Sequence, residues 1–314
     1  MSPPQPLSRL SALSGPIRGG LWMTFAGFCF AGMNVIIRQL SLDMHPFEVV
    51  FFRNLGGLAF MLPWLVRAGT SALRTDHTRY YLGRSFLGFL SMLLWFSALA
   101  MMPVAEATAL SFTSPLFATI FAVILLHEIV RARRWTATFI GFVGAMIILR
   151  PGLSELGLAH LLVLASSALA GVNAILVKQL TRSESANAIV TYMTLYIVPM
   201  SLVPALFVWT TPPLHTWPLI VLLGLLATIG HQAMTRAFVA TETSIVMSFD
   251  YARLPFVALI AWFAFGELPD LWTWVGAAVI VGASAYIAHR EGAVAQQRRP
   301  KTASAAGVTQ AADD

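Results

Sequence analysis

The chain carries almost no charge for its length. Charged residues make up 11% of its 314 residues against 57% hydrophobic, and the mean hydropathy is +0.74. That is too little polar surface to wrap a water-soluble core, so a soluble fold is excluded and an integral membrane protein is implied. Cysteine is nearly absent as well. The single Cys29 sits inside the first apolar run, which leaves neither a disulfide framework nor a thiolate metal site, and packing is its expected role. No metal and no cofactor are expected. No G-x-x-x-x-G-K-[ST] loop occurs, which argues against direct ATP drive. The first residues lack the compact basic region and small-residue cleavage site of a signal peptide, so the first apolar run is expected to stay as a helix.

What the chain does have is long apolar runs. A spanning helix needs about 20 mostly apolar residues, because the hydrocarbon is about 30 Å thick and each backbone polar group must be satisfied within the segment. Ten such runs lie near 20–37, 47–66, 85–102, 104–126, 135–150, 157–177, 187–208, 217–237, 241–264 and 271–288. Residues 1–19 and 291–314 read as short disordered cytoplasmic tails, the first rich in proline and the second in Ala, Gln and Thr.

Sixteen of the twenty Lys and Arg residues fall in alternate gaps between these runs. They are Arg9, Arg18, Arg67, Arg74, Arg79, Arg84, Arg131, Arg133, Arg134, Lys178, Arg182, Arg236, Arg290, Arg298, Arg299 and Lys301, and the positive-inside rule puts that side in the cytoplasm. Both termini are then cytoplasmic, and the expected location is the cytoplasmic (inner) membrane. The sequence pI near 10.0 does not imply nucleic acid, because the charge is spread over short loops rather than gathered on one face.

Two stretches carry the same ordered landmarks. Glu106, Ser111-Phe112, Pro115, Glu128 and Trp135 answer to Glu242, Ser248-Phe249, Pro255, Glu267 and Trp274. The first set spans the fourth and fifth runs and the second spans the ninth and tenth, so the unit has five helices. An odd unit inserts its second copy upside down. The expected fold is an all-α membrane protein of ten transmembrane helices, built as two inverted five-helix repeats over 20–150 and 157–288. Such a plan places a substrate site at the midplane between the repeats and works by alternating access.

Arg53 and Arg253 lie inside apolar runs, where a charge costs about 2.5–3.5 kcal/mol on insertion scales. Between Ser-Phe and Pro the first copy has only Thr113-Ser114, whereas the second has Asp250-Tyr251-Ala252-Arg253-Leu254. Asp250 and Arg253, three apart, share a helix face and either neutralise each other or handle substrate and protons. Arg253 would attract an anionic group, and Asp250 would carry the proton if protons couple transport. Arg53 either faces the cavity or snorkels outward.

Asn34, Asn54, Trp95, Ser111, Ser114, Asn173, Tyr192, His231, Gln232 and Tyr251 add polar or aromatic groups on several helices, as interhelical bonds or ligand contacts. Pro115 and Pro255 are expected to interrupt the fourth and ninth helices. Glu48 and Glu106, near external helix ends, read as solvated interfacial acids, and Glu128 with Arg131, Arg133 and Arg134 as a cytoplasmic lock or orientation signal. Gly141, Gly144, Ala278 and Gly282 would allow close helix packing, internal or between copies, which leaves monomer and homodimer both open.

The His45-Pro46-Phe47-Glu48-Val49-Val50-Phe51-Phe52-Arg53 stretch, the Ser111 to Phe117 run and the close at Phe265-Gly266-Glu267 resemble the drug/metabolite transporter superfamily, EamA type, over roughly residues 20–290. The first copy departs from that close, reading Leu126-His127-Glu128. The resemblance implies two inverted five-helix repeats, cytoplasmic termini and a central cavity to which the fourth and ninth helices contribute. The His-Pro-Phe-Glu and Asp250 to Pro255 stretches look most like a branch with S-adenosylmethionine and riboflavin importers, while other members export amino acids and metabolites.

The expected partner is therefore a small organic solute within the lipid bilayer, with protons a candidate coupling ion. A membrane-embedded enzyme is the alternative of another class. His127-Glu128 starts like a zinc-protease helix, but Arg131 stands where the second histidine is needed, and no G-x-S-x-G elbow occurs.

Overall fold

The computed structural model describes residues 15–68, 75, 78–126, 132–149, 157–180, 184, 186–241, 246 and 249–298. Among these, every regular element is helical. The helices are α1 (Gly15–Leu40), α2 (Pro46–Ala68), α3 (Thr78–Met101), α4 (Val104–Ser111), α5 (Ser114–Leu126), α6 (Ala132–Leu149), α7 (Leu158–Leu180), α8 (Ala186–Phe207), α9 (Trp217–Ala240, after a short 3-10 turn), α10 (Arg253–Phe265) and α11 (Leu271–Arg298). Six helices, α1, α2, α3, α7, α8 and α9, are long and apolar enough to cross a membrane, and α6, α10 and α11 carry shorter apolar stretches.

Two of the expected continuous runs are broken. The run at 104–126 divides at Phe112-Thr113, and the run at 241–264 divides at Tyr251-Ala252. Pro115 and Pro255 do not lie in helix interiors. They occupy the second and third positions of α5 and α10, in the first turn, where a missing donor goes unnoticed. At the first break the Thr113 hydroxyl donates to Leu110 O at 2.7 Å and the Ser111 hydroxyl to Thr108 O at 2.7 Å, so side chains answer carbonyls near the break. Both following half-helices have 13 residues.

The most extensive helix pairs are carried onto one another when the halves are exchanged. The pairs α1 with α9 and α7 with α3 are equivalent, as are α5 with α7 and α10 with α1, and α2 with α9 and α8 with α3. The pairs α2 with α8 and α6 with α11 map onto themselves. This pseudo-twofold arrangement has a sequence trace beyond the landmarks above. Ala31-Gly32-Met33-Asn34 leading to Arg38-Gln39-Leu40-Ser41 in α1 resembles Ala170-Gly171-Val172-Asn173 leading to Lys178-Gln179-Leu180-Thr181 from α7, with one residue more between the Asn and the base in the second copy. Of the landmarks themselves, Glu128, Glu242 and Ser248 lie outside the described residues.

Small residues set the closest crossings. A Cβ on Gly144 would stand 2.9 Å from Gly276 O, so α6 and α11 touch through backbone inside one chain rather than saving that face for a second copy. Gly282 and Ala278 point elsewhere: Gly282 has open space around it and Ala278 is exposed. Helix α11 also continues to Arg298, past the expected start of the tail, through a Glu-, Ala- and Gln-rich stretch of good helix formers.

Side chains tie several of the described links to one another. Arg38 at the close of α1 makes a bidentate pair with Glu267 (2.6 and 3.0 Å) and donates to Met102 O at 2.8 Å. Gly266, at φ 70°, is the left-handed C-cap of α10 that turns Glu267 toward Arg38. His215 meets Asp43 and His160 meets Glu106, both at 3.2 Å.

Glu48 is not the solvated acid that its place in the sequence predicts; it is fully buried. As the third residue of α2 it accepts from His45 N–H at 3.0 Å, while His45 Nδ1 accepts from Phe47 N–H at 3.2 Å, a reciprocal cap on the helix start. It also accepts from Thr210 N–H at 2.7 Å, fastening α2 to the link before α9.

Candidate substrate site

Three polar groups stand within the apolar layer. The first lies where the two broken helices meet. Arg253, opening α10, approaches Asp250 at 3.5 Å and donates to Ser111 Oγ at 3.5 Å, and its guanidinium sits 5.5 Å from the Phe112 ring centre. The Tyr251 ring meets Phe112 edge-on at 5.1 Å. The i, i+3 spacing thus forms an ion pair, but a long one, and Arg253 Nε has no partner among the described residues. The break of each half supplies one side of this cluster.

The second group centres on Arg53. Its guanidinium is 1% exposed, which rules out snorkelling to the interface. Nη1 donates to Asn54 Oδ1 at 2.8 Å, and Nη2 lies 3.1 and 3.4 Å from His231 Nδ1 and Nε2. His231 Nδ1 is also 2.9 Å from Ala227 O, a contact that needs a proton on Nδ1. That tautomer leaves Nε2 as the acceptor for Arg53. Asn54 in turn donates to Val50 O at 2.7 Å, and Phe30 of α1 packs edge-on against His231 at 5.0 Å.

Among the described residues no carboxylate reaches ion-pair distance of Arg53. A buried cation without a counter-ion is costly. The arrangement can offer the Arg53 donors to an acceptor group on a ligand.

The third group lies further along α1. Trp95 of α3 donates to Asn34 Oδ1 at 3.3 Å, and Asn34 Nδ2 is buried without a partner among the described residues. α1 links all three: Gly27 abuts the Arg253 backbone, Phe30 touches His231, and Asn34 takes the Trp95 bond.

The other expected residues are more dispersed. Asn173, the α7 counterpart of Asn34, has its amide against Gly88 of α3 and an unpartnered Oδ1. Ser114 starts α5, with its carbonyl pressed on Gly171 of α7. Tyr192 stacks on Tyr81, and the Gln232 amide donates to Met61 Sδ, both away from the Arg253 cluster. Glu128 falls outside the described residues.

Arg84, expected from the sequence in a cytoplasmic loop, is buried. Helix α3 starts at Thr78, seven residues earlier than the apolar run, so Arg84 is carried inward and is 3% exposed. The polar Thr78 to Tyr81 prefix hides this in the sequence. Packing of Tyr81 against Tyr192, with ring centres 4.3 Å apart, supplies the burial that extends the helix.

The model of the EamA-like transporter family matches residues 17–150 and 157–288, one copy on each half. The chain belongs to this family. Among its relatives, the riboflavin transporter of Vibrio cholerae is 36% identical over 281 residues, covering 88% of this chain and 94% of that protein. The S-adenosylmethionine uptake transporter of Rickettsia bellii is 31% identical, covering 86% and 93%. The pseudopaline exporter CntI of Pseudomonas aeruginosa is 29% identical, covering 84% and 93%. A crystal structure matches with a TM-score of 0.62 at 18% identity, covering 85% of this chain and 96% of that one, which establishes the shared fold.

With the family settled, the two-repeat architecture and a role in moving small solutes through a membrane stand together. The polar groups above are the interior features of such a transporter.

Proposed function

We propose that the chain is a secondary transporter that imports riboflavin, or a closely similar vitamin-like solute, across the cytoplasmic membrane. Ten spans form two inverted repeats, residues 20–150 and 157–288, with both termini cytoplasmic. The observation that carries the solute is near-full-length similarity to a riboflavin transporter, at 36% identity. A transporter rather than a membrane-embedded enzyme is favoured because these relatives are named as transporters.

Substrate would sit between Arg53, Asn54 and His231 on one side of α1 and Asp250, Tyr251 and Arg253 on the other. Asn34, Trp95, Ser114 and Asn173 line the approach. The breaks beside Pro115 and Pro255 free the backbone to move there. The links tied by Arg38 and Glu267 are the extracellular end, and their closure alternates with closure of the cytoplasmic end. Asp250 is the proton carrier, held by Arg253 in one state and released in the other.

The test is uptake of labelled riboflavin and S-adenosylmethionine into cells expressing the chain, with and without a proton uncoupler, beside Asp250→Asn. The proposal expects riboflavin accumulation that the uncoupler abolishes and that Asp250→Asn loses. Riboflavin uptake indifferent to both treatments would reject proton coupling through Asp250. Absence of uptake, with riboflavin or another metabolite leaving the cells instead, would favour export, the activity named for the Pseudomonas relative.

A further inference from the structure

The α3–α8 interface holds an unusual concentration of unmet polar atoms. Among the described residues, Arg84 Nε and Nη1, Tyr81 OH, Ser85 Oγ and Thr191 Oγ1 are all buried without a hydrogen-bond partner, and Arg84 Nη2 reaches only Met193 Sδ, at 3.6 Å. As for Arg53, whose Nε is also unpartnered, no carboxylate among the described residues pairs with Arg84. The two lie on helices that pack on each other, α2 and α3, which the Asn54 amide joins by its bond to Met92 Sδ at 3.2 Å.

Packing alone does not account for this. Native interiors satisfy the great majority of buried polar groups, and clusters of exceptions mark an absent partner. The atoms left over at the guanidiniums are donors, and the hydroxyls can donate too. The missing partner must therefore bring several acceptors. It cannot bring a fixed positive charge, which two unpaired guanidiniums in a low-dielectric setting would repel. Beside Arg84, Tyr81, Tyr192 and Tyr196 form a ladder of near-parallel rings, 4.3 Å apart at 29° and 5.8 Å apart at 16°. The inner faces are spent on one another, and the partly buried Tyr196 at the end of the ladder is the ring left to meet a flat solute.

We infer that Arg53 and Arg84, with the tyrosine ladder, select a flat heteroaromatic ring that carries carbonyl acceptors and is uncharged or anionic, and exclude sulfonium and ammonium solutes. This rests on the riboflavin reading above and sharpens it. Riboflavin has the required ring, whereas S-adenosylmethionine carries a sulfonium. Arg84 is then a binding residue that its neighbours in sequence conceal.

The experiment uses the purified full chain in detergent. Binding is followed by quenching of riboflavin fluorescence, with lumiflavin and S-adenosylmethionine as competitors, and the thermal midpoint is recorded for every variant. Riboflavin is expected to bind, lumiflavin to compete and S-adenosylmethionine not to compete. Arg84→Met should weaken riboflavin binding about 10-fold or more, as loss of charged hydrogen bonds to the ring requires. Arg84→Lys keeps the charge and guards against a folding failure; it should weaken binding by less, because the guanidinium fork is lost.

Riboflavin binding at wild-type strength in folded Arg84→Met and Arg84→Lys would overturn the inference while leaving the riboflavin reading intact. Competition by S-adenosylmethionine as strong as that by lumiflavin would also overturn it. Failure of the folded wild-type chain to bind riboflavin would reject the riboflavin reading and the inference with it.

Discussion

Replacing Glu48 by alanine should destabilise the protein without touching its chemistry. The carboxylate accepts three bonds, from His45 N–H at 3.0 Å, Thr210 N–H at 2.7 Å and the Thr210 hydroxyl at 3.1 Å. The first is half of the helix cap, and loss of a cap costs about 1 kcal/mol. The others are charge-assisted bonds from one residue, Thr210, and together are worth about 1.5–3 kcal/mol.

His45 and Thr210 are themselves exposed, so their freed donors can turn to water, and no stranded-donor penalty is added. The expected loss is ~2–4 kcal/mol for Glu48→Ala and ~1 kcal/mol for Glu48→Gln, which keeps one acceptor oxygen. The assay is thermal unfolding of the detergent-solubilised chain, paired with transport per folded molecule at a permissive temperature. A normal unfolding midpoint in Glu48→Ala together with lost transport would refute the reasoning and place Glu48 on the solute pathway.

Two further outcomes follow from the packing and the closed end. Gly144→Leu drives a side chain into Gly276 O and Ile280 and should cost ~1–3 kcal/mol in thermal unfolding, whereas Gly282→Leu, with nothing within 4 Å, should leave it unchanged. Arg38→Gln and Glu267→Gln should each slow transport by weakening the closed state by ~1–2 kcal/mol, and the exchange Arg38→Glu with Glu267→Arg should restore part of the rate. No recovery in the exchanged pair would mean that the two charges act through other neighbours, Met102 O among them.

Periodicity and composition made the helical membrane class legible, and an odd repeat unit made the two-half plan legible, because both are written in local sequence. The Asp250–Arg253 pair was legible for the same reason, through its spacing of three. Contacts made by distant parts of the chain were not. Arg38 and Glu267 stand 229 positions apart, and nothing near either one announces the other. Arg84 looked like one more orientation charge because the residues before it are polar, and only the packing of Tyr81 on Tyr192 draws it inward. Glu48 looked solvated because it starts a helix, while the link at Thr210 that covers it comes from the other half. The Ala-Gly-x-Asn repeat of α1 and α7 was present in the sequence and would have strengthened the alignment of the halves.

The most direct measurement of the central claim is riboflavin counterflow in liposomes holding the purified chain. Entrapped unlabelled riboflavin should draw in labelled riboflavin through the wild-type chain, and Arg53→Met, which removes the buried donors from the site with His231, should abolish the exchange. Exchange at the wild-type rate in folded Arg53→Met would contradict the site, and no exchange in the folded wild-type chain would contradict the function.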